Sequence, residues 1–246
     1  MYRYGVRVIK IVKFEKAQGM IKNLWTPIQR HSPDNKYYLH GHAIWNTGES
    51  MKNVHEPTYT FVILTLVLIV VNTILAWLCQ FALPGNVGGI SKLYFAVAFM
   101  ILFTLWFGAY GAIAAYAGTL IGNGLLSTNP ALHAGVAIYW SIAGLLQVLI
   151  PLVALRTFEV DLNLENRRDW TLLLLFGVLI NNIVGAAWGA YTLALGNVIQ
   201  SSEIGSVFSL WLIGNIIVTI IIVPLALRHF TPKVRKSKLF VKYYWD

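Results

Sequence analysis

The sequence predicts an all-α polytopic membrane protein, with six transmembrane helices behind an N-terminal cytoplasmic amphipathic helix. Three observations predict it. Hydrophobic residues make up 57% of the 246 and charged residues only 12%, against about half and about a quarter in soluble domains. Several long runs carry no charge at all. Basic residues crowd the two ends, nine of the 19 Lys and Arg preceding residue 58 and six following residue 227. The same balance excludes a disordered chain, and the single cysteine, Cys79, excludes a disulfide scaffold. The net charge of +9 would suit a nucleic-acid partner, but these charges flank apolar runs. Membrane orientation explains them, and no nucleic acid is expected.

A bilayer core needs roughly 20 apolar residues per helix. Thr58 to Phe81 supplies the first span and, with no earlier long apolar run, serves as its own insertion signal. Pro84, Gly85 and Gly88-Gly89 then mark a turn. Lys92 to Leu126 follows, and as one helix it would be about 52 Å long, too long for a single crossing. It is therefore split at Gly108-Ala-Tyr-Gly111 into a second and a third span. Leu132 to Leu155 is the fourth span, Trp170 to Leu195 the fifth, and Gly205 to Leu227 the sixth, with Pro224 in its last turn. This count puts both termini, the Gly108 turn and the 156–169 loop on one side. That side then holds every basic residue except Lys92. The positive-inside rule makes it the cytoplasm, so a plasma-membrane location with both termini cytoplasmic is expected.

Three domains follow: a basic segment over 1–57, a six-helix domain over 58–228 and a basic tail over 229–246. In the first, Arg7, Lys10, Lys13 and Lys16 recur every three residues among Val6, Ile9, Ile11, Val12 and Phe14. That stripe reads as a helix lying on anionic headgroups of the inner leaflet, or as an ordinary solvated helix. Four of the six histidines stand at His31, His40, His42 and His55. A His-x-His pair can hold a metal if a third ligand converges, so His40 and His42 are weak candidates. No Cys-x-x-Cys or helical histidine spacing joins them, so no metal site and no cofactor are expected.

The span interiors contain no Asp, Glu, Lys or Arg. Proton relays, voltage sensors and many ion-coupled carriers need such a group, and intramembrane proteases need a catalytic pair or a metal motif. The chain is therefore read as no enzyme. Neutral polar and aromatic residues fall at compatible depths instead. Asn123, Gln147, Asn181, Asn182, Trp188, Tyr191, Trp211 and Asn215 could line one outward-opening cavity, in which amides orient a ligand and rings stack on it. The competing reading has amides bonding neighbouring helices and tryptophans forming the interfacial belt. On the first reading, Leu at Asn182 or Asn215 abolishes ligand binding and leaves the fold intact. Gly118-x-x-x-Gly122 and Gly185-x-x-x-Gly189 mark close helix packing.

Between about Tyr94 and Pro232 the order of features is similar to two known groups. Phe107-Gly108 opens a span ending Gly122-Asn123-Gly124-Leu125-Leu126, Ile142-Ala143-Gly144-Leu145-Leu146 follows, and then a loop ending Arg167-Arg168-Asp169. A Gly/Ala-rich span and Leu210-Trp211-Leu212-Ile213-Gly214-Asn215 complete the order, closing at Val223-Pro224-Leu225. This resembles the membrane-associated sensor domains of the MASE type and, more loosely, the substrate-binding S components of energy-coupling-factor importers. The S-component resemblance implies a solute-binding subunit with partner ATPases. The MASE resemblance implies a sensor acting on a separate output protein. A non-catalytic accessory subunit of a larger membrane complex is the third expectation. In each, the lipid bilayer and other membrane or ATPase subunits are partners, and a small-molecule ligand is possible.

Overall fold

The computed structural model describes residues 59–82, 91–127 and 129–245. The basic stripe Arg7, Lys10, Lys13 and Lys16 and the pair His40 and His42 lie outside them. Every regular element among the described residues is helical: α1 (Tyr59–Ala82), α2 (Ala96–Phe107), α3 (Ala109–Thr119), α4 (Ala134–Thr157), α5 (Arg167–Leu195) and α6 (Ile204–Val234). A π-helical turn, Leu120–Leu125, extends α3, and another, Leu173–Ile180, interrupts α5. A short 3-10 turn, Ser201–Glu203, leads into α6.

Four of these helices, α1, α4, α5 and α6, are long and apolar enough to cross a membrane. Their surfaces agree with that medium. On α1, Phe61, Leu68, Asn72, Ala76 and Cys79 form a buried stripe at helical spacing. Its other face exposes Val62, Ile63, Leu66, Val67, Val70 and Ile74. An apolar face of this extent is stable against lipid and not against water.

α2 and α3 are shorter, and they form an antiparallel hairpin. Gly108 makes the turn with φ 60° and ψ −138°, a backbone shape that side-chain-bearing residues rarely take. The return of the chain is recorded in two contacts. A Cβ on Gly111 would sit 2.5 Å from the Phe103 carbonyl, and the Thr119 hydroxyl donates to the Met100 sulfur at 3.7 Å. The predicted split at Gly108 is thus where the chain reverses. At 12 residues, however, α2 is only about 18 Å long. It also starts inside the bundle: a Cβ on Gly214, well into α6, would meet the Lys92 carbonyl oxygen at 2.3 Å. From there α2 runs beside α6 until the Trp106 indole donates to the Thr231 hydroxyl at 3.0 Å.

The helices have two ends that differ in charge. The proximal end carries the Gly108 turn, the 158–166 loop and the residues after Val234, with Arg156, Arg167, Arg168, Arg235 and the C-terminal lysines. The distal end carries the 126–133 and 196–203 connections, and Lys92 lies toward it. α6 continues past Pro224 to Val234, so the expected boundary after residue 228 falls within a helix. Beyond it the chain folds back under the hairpin. Val241 N–H donates to the Trp106 carbonyl and Ala109 N–H to the Tyr244 carbonyl, both at 2.9 Å. Arg156 donates to the Leu105 and Val241 carbonyls at 2.7 and 2.8 Å.

Among the described residues, two large apolar cores and a small cluster of Phe61, Tyr110 and Val241 fill the bundle. The proximal core gathers Val97, Ile101, Leu105, Leu155, Val223 and Leu227, and the distal core Val136, Ala186, Ala190, Leu193 and Val207. Polar side chains occupy the level between them.

Candidate functional site

The polar level begins as a hydrogen-bonded network across α4, α5 and α6. Gln147 Nε2 donates to Asn182 Oδ1 at 2.8 Å, and Asn182 Nδ2 donates to the Val178 carbonyl at 2.7 Å and to Thr219 Oγ1 at 3.0 Å. The Thr219 hydroxyl donates to the Asn215 carbonyl at 2.7 Å, and Asn181 Nδ2 to the Gln147 carbonyl at 3.2 Å. Gln147, Asn181, Asn182 and Thr219 are all essentially without exposure. The π-helical turn ends immediately before Asn181. By widening the helix it shifts the register at which this pair enters the core, a common use of such turns at functional sites. Gly185 makes the room for Gln147, whose Cγ would lie 2.3 Å from a Cβ there.

Distal to this network lies a cavity lined by Ser91, Tyr94, Thr119, Asn123, Trp140, Ala143, Gly144, Gln147, Trp211 and Asn215. Its volume is about 20 Å³, enough for one water or two. The wall comes from the segment before α2, the π-helical end of α3, and the distal halves of α4 and α6. Trp140 and Trp211 meet edge to face with centroids 5.7 Å apart. Trp211 reaches in because Gly189 on α5 has no side chain: a Cβ there would lie 2.2 Å from the indole ring.

The chemistry of the wall is unusual. Ser91 Oγ, Tyr94 Oη, Asn123 Oδ1, Trp140 Nε1, Trp211 Nε1 and Asn215 Nδ2 are buried without a close hydrogen-bond partner among the described residues. The Tyr94 hydroxyl lies against Thr119 and Asn123. Each such group costs about 1–3 kcal/mol when left unpaired. Native interiors hold few of them, and six around one cavity of this volume point to ordered water, or a molecule that displaces it, pairing with them. Among the described residues no Asp, Glu, Lys, Arg, His or Cys lines the cavity.

Of the eight residues singled out from the sequence, Asn123, Gln147, Trp211 and Asn215 meet at this cavity. Asn181 and Asn182 do not line it; they stand behind, tying helices together. Trp188 and Tyr191 are displaced further, to an open distal groove of about 530 Å³ shared with His133, Tyr139 and Asn197. There the Trp188 indole donates to the Tyr139 carbonyl at 2.8 Å. The reason is angular. At 100° per residue, positions 182, 185, 186 and 189 share one face of α5, whereas 188 and 191 turn away from it. Ser91, Tyr94 and Trp140 were missed. Trp140 lies seven residues before Gln147, two helical turns on the same face, and that spacing was the available signal. Asn72 on α1, packed on Gly118, also has both amide atoms unbonded, apart from this cavity.

Both glycine pairs sit at close contacts between helices. Gly118 and Gly122 admit α1 at Asn72 and Thr73, and Gly185 and Gly189 admit Gln147 and Trp211. The proximal apolar core lies below the cavity.

In comparisons with known proteins, no family model, curated protein or solved structure matches the chain.

Proposed function

We propose that this chain is an integral membrane subunit that binds a small solute inside its helix bundle, in the manner of an S component of an importer. The observation that carries the reading is the convergence of six buried polar groups, none with a close partner among the described residues, on one cavity. Two features support it. α2 begins within the bundle at the cavity wall, as half-length helices do where transporters hold their solutes. The segment it grows from, 91–94, sets Ser91 and Tyr94 in the wall, with the Lys92 carbonyl against Gly214 of α6. The sequence holds no phosphate-cradling P-loop, so energy for uptake would come from partner ATPases.

The test is co-purification. Protein extracted into nanodiscs is expected to carry a small-molecule mass in native mass spectrometry. Trp140→Phe and Asn215→Leu should each lose it, while remaining as stable as the parent or more so, because each removes an atom that has no partner to abandon. An empty parent protein would overturn the reading and leave the accessory-subunit alternative.

In this reading the hairpin supplies the second and third of six crossings, and the distal end faces outward. The charge asymmetry supports that orientation, with the proximal end in the cytoplasm. A cysteine replacing Ser201 is then expected to react with an impermeant reagent from outside, and one replacing Asn163 to stay silent. Native Cys79 is fully buried and gives no background. Labelling of the opposite pattern would overturn the six-crossing topology.

A further inference from the structure

We infer that a groove at the proximal end, between the end of α4, the loop after it and the returning tail, binds the headgroup phosphate of an anionic phospholipid. The groove is distinct from the solute cavity and has a volume of about 720 Å³. Leu155, Val160 and Phe240 give it an apolar floor, and Arg156, Glu159, Asp161, Arg235 and Lys242 give it a charged wall. These charges do not cancel one for one. Arg235 Nη2 donates to Asp161 Oδ1 at 2.7 Å, the one ion pair among the described residues, and that oxygen also accepts the Asn163 N–H at 3.2 Å. Arg156, Lys242 and Glu159 have no ion-pair partner among the described residues, so two cations face one free carboxylate. Arg156 Nη2 donates to the Leu105 and Val241 carbonyls, which fix the guanidinium without neutralising it. Arg156 and Arg235 each place Cζ 5.8 Å from the Phe240 ring centroid. Two like charges sharing one ring over an apolar floor repel, and an anion seated between them and Lys242 relieves the repulsion. The surroundings have the same sign: beyond Leu227 the described chain holds six Lys and Arg and no carboxylate.

The setting points to a lipid as the bearer of the phosphate. The groove opens where the apolar helices end. On α4, Val153 is exposed one turn before Arg156 and Phe158 is exposed just after it, and α6 exposes Leu225 ahead of Arg228. A headgroup in the groove leaves its acyl chains against this apolar surface. The tail adds rings of the kind that settle at headgroup level: Tyr243, which borders the groove, and Trp245 are 64% and 55% exposed. Lys242 Nζ lies 5.5 Å from the Tyr243 centroid, so cation and ring are presented together. The tail is held there by its backbone, through the Val241 N–H on the Trp106 carbonyl and the Tyr244 carbonyl on the Ala109 N–H. The side chains of Lys242, Tyr243 and Trp245 are thereby left exposed. Basic pockets between helices on the cytoplasmic side take phosphate-bearing headgroups, and the charge asymmetry puts this end there.

The full chain in detergent micelles is titrated with dioleoylphosphatidylglycerol and, separately, with dioleoylphosphatidylcholine, and native mass spectrometry counts the bound lipids. The anionic lipid is expected to fill one site per chain more tightly than the zwitterionic lipid does. Lys242→Gln should weaken that site about fivefold, the measure of one basic residue's attraction to a charged leaflet, and Glu159→Gln should tighten it. Neither side chain forms an ion pair among the described residues, so both variants should unfold at the parent's temperature in phosphatidylcholine. Lys238→Gln, on the same tail but outside the groove, should bind as the parent does. Inorganic phosphate at constant ionic strength should not displace the lipid. Equal binding of the two lipids would overturn the anionic class. An equal loss in Lys238→Gln and Lys242→Gln would mean diffuse attraction to the whole tail and overturn the groove, as would unchanged affinity in both Lys242→Gln and Glu159→Gln. Displacement by inorganic phosphate would make the groove a site for a soluble anion and overturn the lipid.

Discussion

A Gly189→Leu variant is expected to lose solute binding and to unfold more readily than the parent, by about 3 kcal/mol, at the upper end of what overpacking costs. The position leaves no space: a Cβ at residue 189 would lie 2.2 Å from Trp211 Cζ3 and 2.4 Å from Cη2. The indole has to swing, and either direction is damaging. Toward the cavity it takes the solute's place. Away from it, the edge-to-face contact with Trp140 at 5.7 Å is lost, worth about 1 kcal/mol beyond the area involved. Gly189→Ala should show the same two effects in smaller measure. Thermal unfolding in nanodiscs reads the first and native mass spectrometry the second; parent-like binding in Gly189→Leu would show that Trp211 is not part of the wall.

Asn182→Leu should destabilise the protein by about 2–3 kcal/mol, a value reached by losing two interhelical bonds and leaving a buried amide unpaired. Leucine cannot accept from Gln147 Nε2 or donate to Thr219 Oγ1, so α6 loses its bond to α5 through Thr219 and α4 loses one of its bonds to α5, keeping that from Asn181 Nδ2 to the Gln147 carbonyl. Gln147, with 1% exposure, is left with only what the adjoining cavity holds. This departs from the expectation drawn from the sequence, in which Leu at 182 and at 215 act alike and spare the fold. Asn215→Leu keeps that expectation, because its Nδ2 bonds to nothing and its carbonyl still accepts from Thr219. The contrast is measurable as the difference in unfolding temperature between the two variants. Equal stability would mean that the network is not a tie.

The helices were legible because their cause is local. Uncharged length set α1, α4, α5 and α6 to within a few residues at most ends, and the excess length of the Lys92–Leu126 run forced a break that glycine placed at 108. α6 was read seven residues short because the apolar span ends at Leu227, before Arg228, whereas the helix itself runs on through Pro232 to Val234. The site was half legible. Asn123, Gln147, Trp211 and Asn215 were found from depth alone, since an amide in an apolar span seeks the interior. Depth without angle also brought in Trp188 and Tyr191, which share the level and point the other way. Ser91 and Tyr94 depend on a tertiary fact, the seating of Lys92 against Gly214, which no local pattern announces. The π-helical turns before Asn181 and around Asn123 are register shifts, and hydropathy is blind to register.

The division of the interior into two apolar cores has a consequence for how this bundle comes apart. A continuous core unfolds as one cooperative unit, whereas one divided by a polar layer opens in parts at different free energies. The proximal part is knotted by Arg156, the returning tail and the hairpin tip. Among the described residues, the distal part, which contains the cavity, has no such cross-bracing from a chain end and holds polar groups without close partners. Local opening is therefore expected at the distal part first, with the proximal part staying closed.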